Sequence, residues 1–202
     1  MTRHDEIKMV APVPNPAPLG LSAFALTTSG VPSGGPVQVV TGLALFYGGA
    51  AQILAGMWEF YVGNNFGATA FTSYGAFWLA YATILVPSFN VVPSYANAPA
   101  HTLDNALGIF LVGWGIFTFI LWLATFRATL TLSTMFFTLI LTFFFLASAH
   151  LAHLEPGNSI TRVGGGLGLI TAFLAWYNAA AGLYHPQSTF VRLPTGSLAR
   201  RD

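Results

Sequence analysis

From Pro16 to Tyr184 this chain is a succession of six apolar stretches, at roughly 16–31, 37–61, 66–87, 104–125, 130–152 and 161–184, parted by short polar or proline-glycine breaks. A hydrocarbon core of ~30 Å takes about 20 apolar residues of helix, and inside it every backbone N–H and C=O must be bonded within the protein. That leaves a chain of this kind one fold class, an all-α integral membrane protein built as a six-helix bundle. The charge count agrees. Only 6% of the 202 residues are charged and 54% are hydrophobic, whereas a soluble domain carries about 25% charged residues. Mean hydropathy is +0.66. The first eighteen residues are polar and proline-rich, so a secretory signal peptide is not expected. There is no cysteine, which excludes disulfides, thiolate metal sites and cysteine nucleophiles. A net charge of +1 offers no basic patch, and nucleic acid is not an expected partner.

The breaks have a local logic. Asn15 is a natural N-cap, and Pro16 and Pro18 suit the first turn of a helix. Pro32-Ser33-Gly34-Gly35-Pro36 closes the first stretch, and Gly63-Asn64-Asn65 makes a tight turn after the second. Pro87 to Thr102, with three prolines, is the longest loop, Arg127 marks the fourth connection, and Glu155-Pro156-Gly157-Asn158 the fifth. The division expected is a tail over 1–14, a six-span domain over 15–184 and a second tail over 185–202. Six crossings put both termini on one side, together with Arg3, Lys8, Arg127, Arg192, Arg200 and Arg201, and leave Arg162 alone on the other. The positive-inside rule then makes both tails cytoplasmic, with Asp104 and Glu155 facing outward.

Small residues mark the faces that touch protein, because membrane helices approach closely where side chains are small. Gly164, Gly168, Ala172, Ala175, Ala179 and Gly182 form one helical stripe in the sixth span. Gly49, Gln52, Gly56 and Glu59 share a face of the second, and Gly108 and Gly115 lie two turns apart in the fourth. The fifth span carries Phe136, Phe137, Phe143, Phe144 and Phe145 around its circumference, and most of these are expected to face lipid or a neighbouring subunit.

Few residues could carry chemistry. Glu59 is the one acidic residue plainly inside an apolar stretch, where a mid-membrane carboxylate costs roughly 3 kcal/mol to insert. It reads equally as a proton acceptor or gate and as a structural acceptor for Asn64 and Asn65. Thr69, Thr72, Ser73 and Tyr74 offer four hydroxyls within two turns, to a passing carboxylate or to helix carbonyls. The N-terminus capped by Asn15 exposes N–H groups where a small anion can pause. His150 and His153, followed by Glu155, fall short of a convincing metal set, which needs three ligands together. Neither a Ser-His-Asp set nor a phosphate-cradling glycine loop is present, so no enzyme activity, metal or cofactor is expected.

Several blocks, in order, carry a resemblance. Asn15-Pro16-Ala17-Pro18-Leu19-Gly20-Leu21 with Phe24 is the first. Phe46-Tyr47-Gly48-Gly49 through Gln52, Ala55-Gly56 and Glu59 is the second. Gly63-Asn64, Phe66-Gly67 and Thr69 through Trp78 are the third, and Leu111 to Thr118, holding Gly113-Trp114-Gly115, the fourth. Over residues 15–184 the sequence resembles the microbial acetate uptake transporter family, of bacterial acetate–succinate transporters and fungal acetate permeases. The resemblance implies six spans with a pore in each protomer, a homohexamer in the plasma membrane, and passage of acetate and related small monocarboxylates, proton-coupled or channel-like. It implies a mid-pore constriction at Phe24, Tyr74 and Leu139, and a small position at Ala175 that helps set substrate size. Asn15, Gln52, Glu59, Thr69, Thr72, Ser73, Ala175 and Asn178 are the residues expected along the substrate path. The Pro87–Thr102 loop and the His150/His153 pair match no motif of the family.

Two other readings compete. The same apolar constriction would tolerate a neutral solute such as urea or ammonia. A membrane sensor of acetate or ammonium is the third, but the tails are too short for a signalling domain.

Overall fold

The computed structural model describes residues 14–29, 39–155, 157–184 and 189–199. Arg3, Lys8, the Pro32–Pro36 break, Pro156, Arg200 and Arg201 lie outside them. Among the described residues six principal helices follow the six apolar stretches: α1 Ala17–Ser29, α2 Val39–Tyr61, α3 Asn65–Leu85, α4 Thr102–Ala124, α5 Leu130–Leu151 and α6 Ser159–Leu183. Their ends fall within a few residues of the sequence expectation. Four of them, α2, α4 with its 3-10 extension to Arg127, α5 and α6, are long and apolar enough to cross a membrane. A fifth counts if α3 and the segment Pro87–Ser94, bent 85° from it, are one span. Helix α1 has 13 residues and a length of about 20 Å, short of the hydrocarbon thickness. The loop from Pro87 is less irregular than expected, with a 3-10 turn over Pro87–Phe89 and one helical turn over Val91–Ser94.

The helix starts are capped as their sequences dictate. Asn15 Oδ1 accepts from the Ala17 N–H, Asn64 Oδ1 from Gly67, Thr129 Oγ1 from Leu132, and Asn158 Oδ1 from Ile160 and Thr161. Each bond satisfies an N–H that the first helical turn cannot. Gly63 turns the chain between α2 and α3 with φ +79°, a conformation that glycine adopts without steric cost.

The small-residue faces are the packing faces. Gly49, Gln52, Gly56 and Glu59 are all buried, as are Gly108 and Gly115, and Gly164, Gly168, Ala172, Ala175 and Ala179. Gly108 sits against Leu151, Gly115 against Phe144, Gly164 against Leu146 and Gly182 against Pro18. Thus α6 packs on α1 and α5, α4 on α5, and α3 on α2. The phenylalanines of α5 depart from expectation. Phe136 and Phe143 are buried, in contact with Phe66, Tyr74 and Phe77, and only Phe137 and Phe144 are exposed. The aromatic side of α3 supplies partners for two of the five rings, which ring counting on α5 alone does not reveal.

A further contact is absent from the sequence reading. The segment over 189–199 folds back on the start of α5, where Leu130 N–H donates to Gly196 O at 2.7 Å, Thr131 N–H to Thr195 O at 3.2 Å, and Leu198 N–H to Ala128 O at 3.1 Å. Thr129 and Ser197 form an antiparallel bridge, and Tyr177 Oη donates to Pro194 O. The second tail is therefore docked along this stretch.

Glycines at the α2–α3 contact should tolerate no side chain. A methyl at Gly75 would stand 2.5 Å from Ile53 Cγ1 and 2.9 Å from Gly49 O, whereas one at Gly165 meets nothing within 4 Å. Gly75→Ala should cost about 1–3 kcal/mol, the overpacking penalty, and Gly165→Ala close to nothing. Thermal unfolding of the two purified variants in detergent checks the contrast.

Candidate functional site

One cavity of about 180 Å³ opens where α1, α3 and α5 begin and α2 and α6 end. Its wall is mostly apolar, with Leu21, Phe24, Phe66, Phe71, Tyr74, Leu132, Met135, Phe136 and Leu139. Gln52, Asn64, Thr129 and Asn178 supply the polar side chains besides Tyr74, and among the described residues no ionisable side chain other than Tyr74 lines it. The three residues expected at a constriction meet here. Phe24, Tyr74 and Leu139 are 5%, 3% and 3% exposed, and the Phe24 and Tyr74 rings lie 5.7 Å apart.

The polar lining is held with care. Asn178 Nδ2 donates to Leu174 O, and its Oδ1 accepts from Thr131 Oγ1 at 2.8 Å. The Thr131 backbone N–H donates to Thr195 O of the docked tail at 3.2 Å, so the cavity's α5–α6 side is tied to that segment. Gln52 is buried and its Oε1 has no partner among the described residues. A buried amide oxygen left unpaired costs free energy, and this one belongs to a residue of the cavity wall. Helix α2 winds as a π-helix over Leu43–Ala51, immediately before Gln52. The wider turn brings Gly48 against Thr27 of α1 and Gly49 against Leu79 of α3. Short π segments of this kind recur at functional sites.

The other expected residues separate. Asn15 is exposed and caps α1 at the mouth. Glu59 is 1% exposed and stands behind the wall: Asn64 Nδ2 donates to its Oε2 at 2.7 Å, and Gly67 packs on the carboxyl group. Thr69 points outward, its hydroxyl donating to Asn65 O. Thr72 packs against Gly56, and Ser73 lines a separate shallow groove with Ile109, Phe110, Gly113, Trp114 and Phe117. Of the four hydroxyl-bearing residues on α3, then, only Tyr74 lines the cavity. Ala175 is fully buried in the α6 stripe and is not among the lining residues. Sequence reasoning missed Leu21, Asn64, Phe66, Phe71, Thr129, Leu132, Met135 and Phe136 as lining. For Asn64 and Thr129 the signal that could have found them is their position as N-caps, since the cavity mouth is made of helix starts.

At the opposite end, His150 Nδ1 lies 3.2 Å from Asp104 Oδ1, His153 Nε2 lies 2.9 Å from Asn105 Oδ1, and the rings of His101 and His153 stack at 4.1 Å. Among the described residues no three His, Cys, Asp or Glu side chains are arranged to hold a metal.

Glu59→Gln tests what the buried carboxylate does. The Asn64 bond accounts for Oε2 as a structural acceptor, so the variant should keep whatever dependence on a proton gradient the protein has and lose about 1 kcal/mol of stability. Asn64→Ala removes both that bond and the α3 cap and should cost more, about 2 kcal/mol or above. Flux at several imposed pH gradients, beside thermal unfolding, checks both; lost gradient dependence with intact exchange would make Glu59 a proton relay.

Comparison with known proteins bears on the whole chain. Residues 8–200 match the model of the GPR1/FUN34/yaaH family. The chain is 42% identical over 205 residues to "Ammonia transport outward protein 2" of Saccharomyces cerevisiae, covering 96% of this chain and 71% of that one. It is 37% identical over 188 residues to the "Succinate-acetate/proton symporter SatP" of Escherichia coli, covering 90% and 95%. A solved structure described as "the bacterial acetate channel SatP" superposes with a TM-score of 0.76 at 37% identity, covering 90% of this chain and 98% of the other. The chain spans about two thirds of the length of fungal relatives it matches.

Proposed function

The chain belongs to the GPR1/FUN34/yaaH family, and from that premise we propose that it is a membrane transporter or channel for acetate and related small monocarboxylates. The observation that carries this reading is the cavity itself: mostly apolar walls that include Phe24, Tyr74 and Leu139, a few carboxamide and hydroxyl groups, and no cation among the described lining residues. Acetate has a methyl end and a charged end. The aromatic and aliphatic groups suit the first. For the second, Gln52 and the starts of α1, α3 and α5 offer oriented dipoles without a fixed full charge. Binding of that kind is weak, and a conductor must release what it binds.

The proposal extends to architecture. Helix α1, short as it is, counts as the first of six crossings, each protomer holds one pore, and the tails at 1–14 and 185–202 face the cytoplasm. Arg127 and Arg192 lie on the elements at the cavity mouth and Arg162 in the first turn of α6 at the far end, which supports that orientation. Exposed apolar rows such as Ile109, Ile116, Ile120 and Leu123 on α4 suit lipid or further copies in a homohexamer of the plasma membrane. An enzyme role is set aside, because the relatives are named as transporters and channels.

The neutral-solute reading has one specific support, the ammonia named in the yeast relative. Uptake into liposomes separates the two. Purified protein should carry labelled acetate well above protein-free vesicles, with and without a proton gradient; ammonia flux alone would favour the alternative. Leu139→Ala removes most of a buried side chain from the narrowing. It should let lactate and succinate compete with acetate more strongly, by roughly tenfold if the barrier falls by about 1.4 kcal/mol. Competition uptake with normally inserted protein checks it, and an unchanged profile would take Leu139 out of the path.

A further inference from the structure

We infer that Thr118 is the positioning residue that pins Tyr74 in the constriction and so helps decide which acids pass. The inference rests on the reading of Phe24, Tyr74 and Leu139 as the narrowing. Thr118 belongs to α4, a helix that contributes nothing to the cavity wall. It is fully buried, and its Oγ1 lies 2.8 Å from the Tyr74 hydroxyl oxygen. The direction of the bond is fixed by chemistry. Thr118 Oγ1 also lies 2.7 Å from Trp114 O, four residues earlier in the same helix. A threonine hydroxyl has one proton. With that proton on the Trp114 carbonyl, Tyr74 donates and Thr118 accepts.

Aromatic rings surround the rest of the Tyr74 side chain on several sides. Its neighbours are Phe24 at 5.7 Å, Phe117 at 5.8 Å, Trp114 at 6.1 Å and Phe136 at 6.3 Å between ring centroids, at tilts from 33° to 70°. Ring contacts of this sort are broad in geometry and leave an aromatic able to slide or tip. The hydroxyl bond is directional and marks one orientation. Among the described residues it is the single hydrogen bond of the Tyr74 hydroxyl. Without that bond the ring is held by those broad contacts alone, whichever partner is removed, and the narrowing loses definition.

The test is a double-mutant comparison on full-length protein in liposomes, reading the ratio of labelled lactate to acetate uptake. Thr118→Val keeps the shape and removes the acceptor, Tyr74→Phe removes the donor, and Thr118→Ser keeps the acceptor. Thr118→Val and Tyr74→Phe should each raise the ratio by a similar factor, on the order of threefold to tenfold, the scale of one neutral hydrogen bond. Thr118→Ser should stay near wild type, and the double variant should shift no further than either single one. Multiplying effects in the double variant, or a wild-type ratio in Thr118→Val beside a shifted Tyr74→Phe, would overturn the inference. Should Thr118→Val fail to insert, Tyr74→Phe breaks the same bond from the other side, and an unchanged ratio there overturns it as well. Tyr74→Ala distinguishes the premise: if it leaves flux and ratio unchanged, the constriction reading itself falls.

Discussion

The near-contact of α2 with α3 is what the rest of the molecule is arranged around. Lipid gives apolar helices no reason to prefer one another, so association depends on van der Waals contact over backbones brought close. Here Gly49, Gly56 and Gly75 remove the side chains that would hold the two helices apart, and Ile53 and Thr72 fill the space left. The contact fixes rotation as well as distance. With Gly56 against Thr72, the same face of α2 carries Gln52 to the cavity and Glu59 to Asn64, while α3 turns Tyr74 inward. The π-helical stretch of α2 belongs to the same arrangement, since it lets Gly48 meet α1 and Gly49 meet α3 from neighbouring positions.

The second dependence is electrostatic. A cavity proposed for carboxylates would ordinarily be expected to hold an arginine or lysine, yet among the described residues none lines this one. Three helix starts stand there instead, at Ala17, Asn65 and Leu130. Each start offers a partial positive charge spread over N–H groups, worth a fraction of a kcal/mol to about 2 kcal/mol for an anion. The caps Asn15, Asn64 and Thr129 satisfy some of those donors, which keeps the field while reducing the number of open bonds. The tail over 189–199 takes two more from α5, at Leu130 and Thr131.

Much of this was legible in the sequence, for identifiable reasons. Helix positions follow from apolar length, and the packing faces from glycines and alanines repeating at three and four residues, both purely local patterns. Phe24, Tyr74, Leu139, Gln52 and Asn178 do gather at one cavity. Thr69, Thr72 and Ser73 were harder, because four hydroxyls within two turns point to different sides of a helix, and only tertiary packing says which side is wet. The burial of Phe136 and Phe143 was hidden for the same reason: their partners lie on α3, some seventy residues away. The docking of 189–199 rests mainly on backbone hydrogen bonds, which leave little trace in residue type.

A cavity whose described lining holds no cation has a consequence for selectivity. On the proposed path, with no full charge to anchor the carboxylate, one acid is told from another mainly by the size and stiffness of the narrowing, since a methylene more or less in an apolar pocket changes binding by about 1–3 kcal/mol. Stiffness is then as important as width. Leu139 is held by the α5 backbone beside Thr138, whose hydroxyl lies 2.8 Å from Thr171 on α6. Tyr74 is held from α4 by Thr118. Phe24 is held by the short α1, which rests on α6 at Pro18 and Gly182 and on α2 at Thr27 and Gly48. In the proposed narrowing Tyr74 is thus braced from α4, outside the cavity wall, and Leu139 and Phe24 from α6 and α2, which are part of that wall, so the close contacts between these helices set its shape.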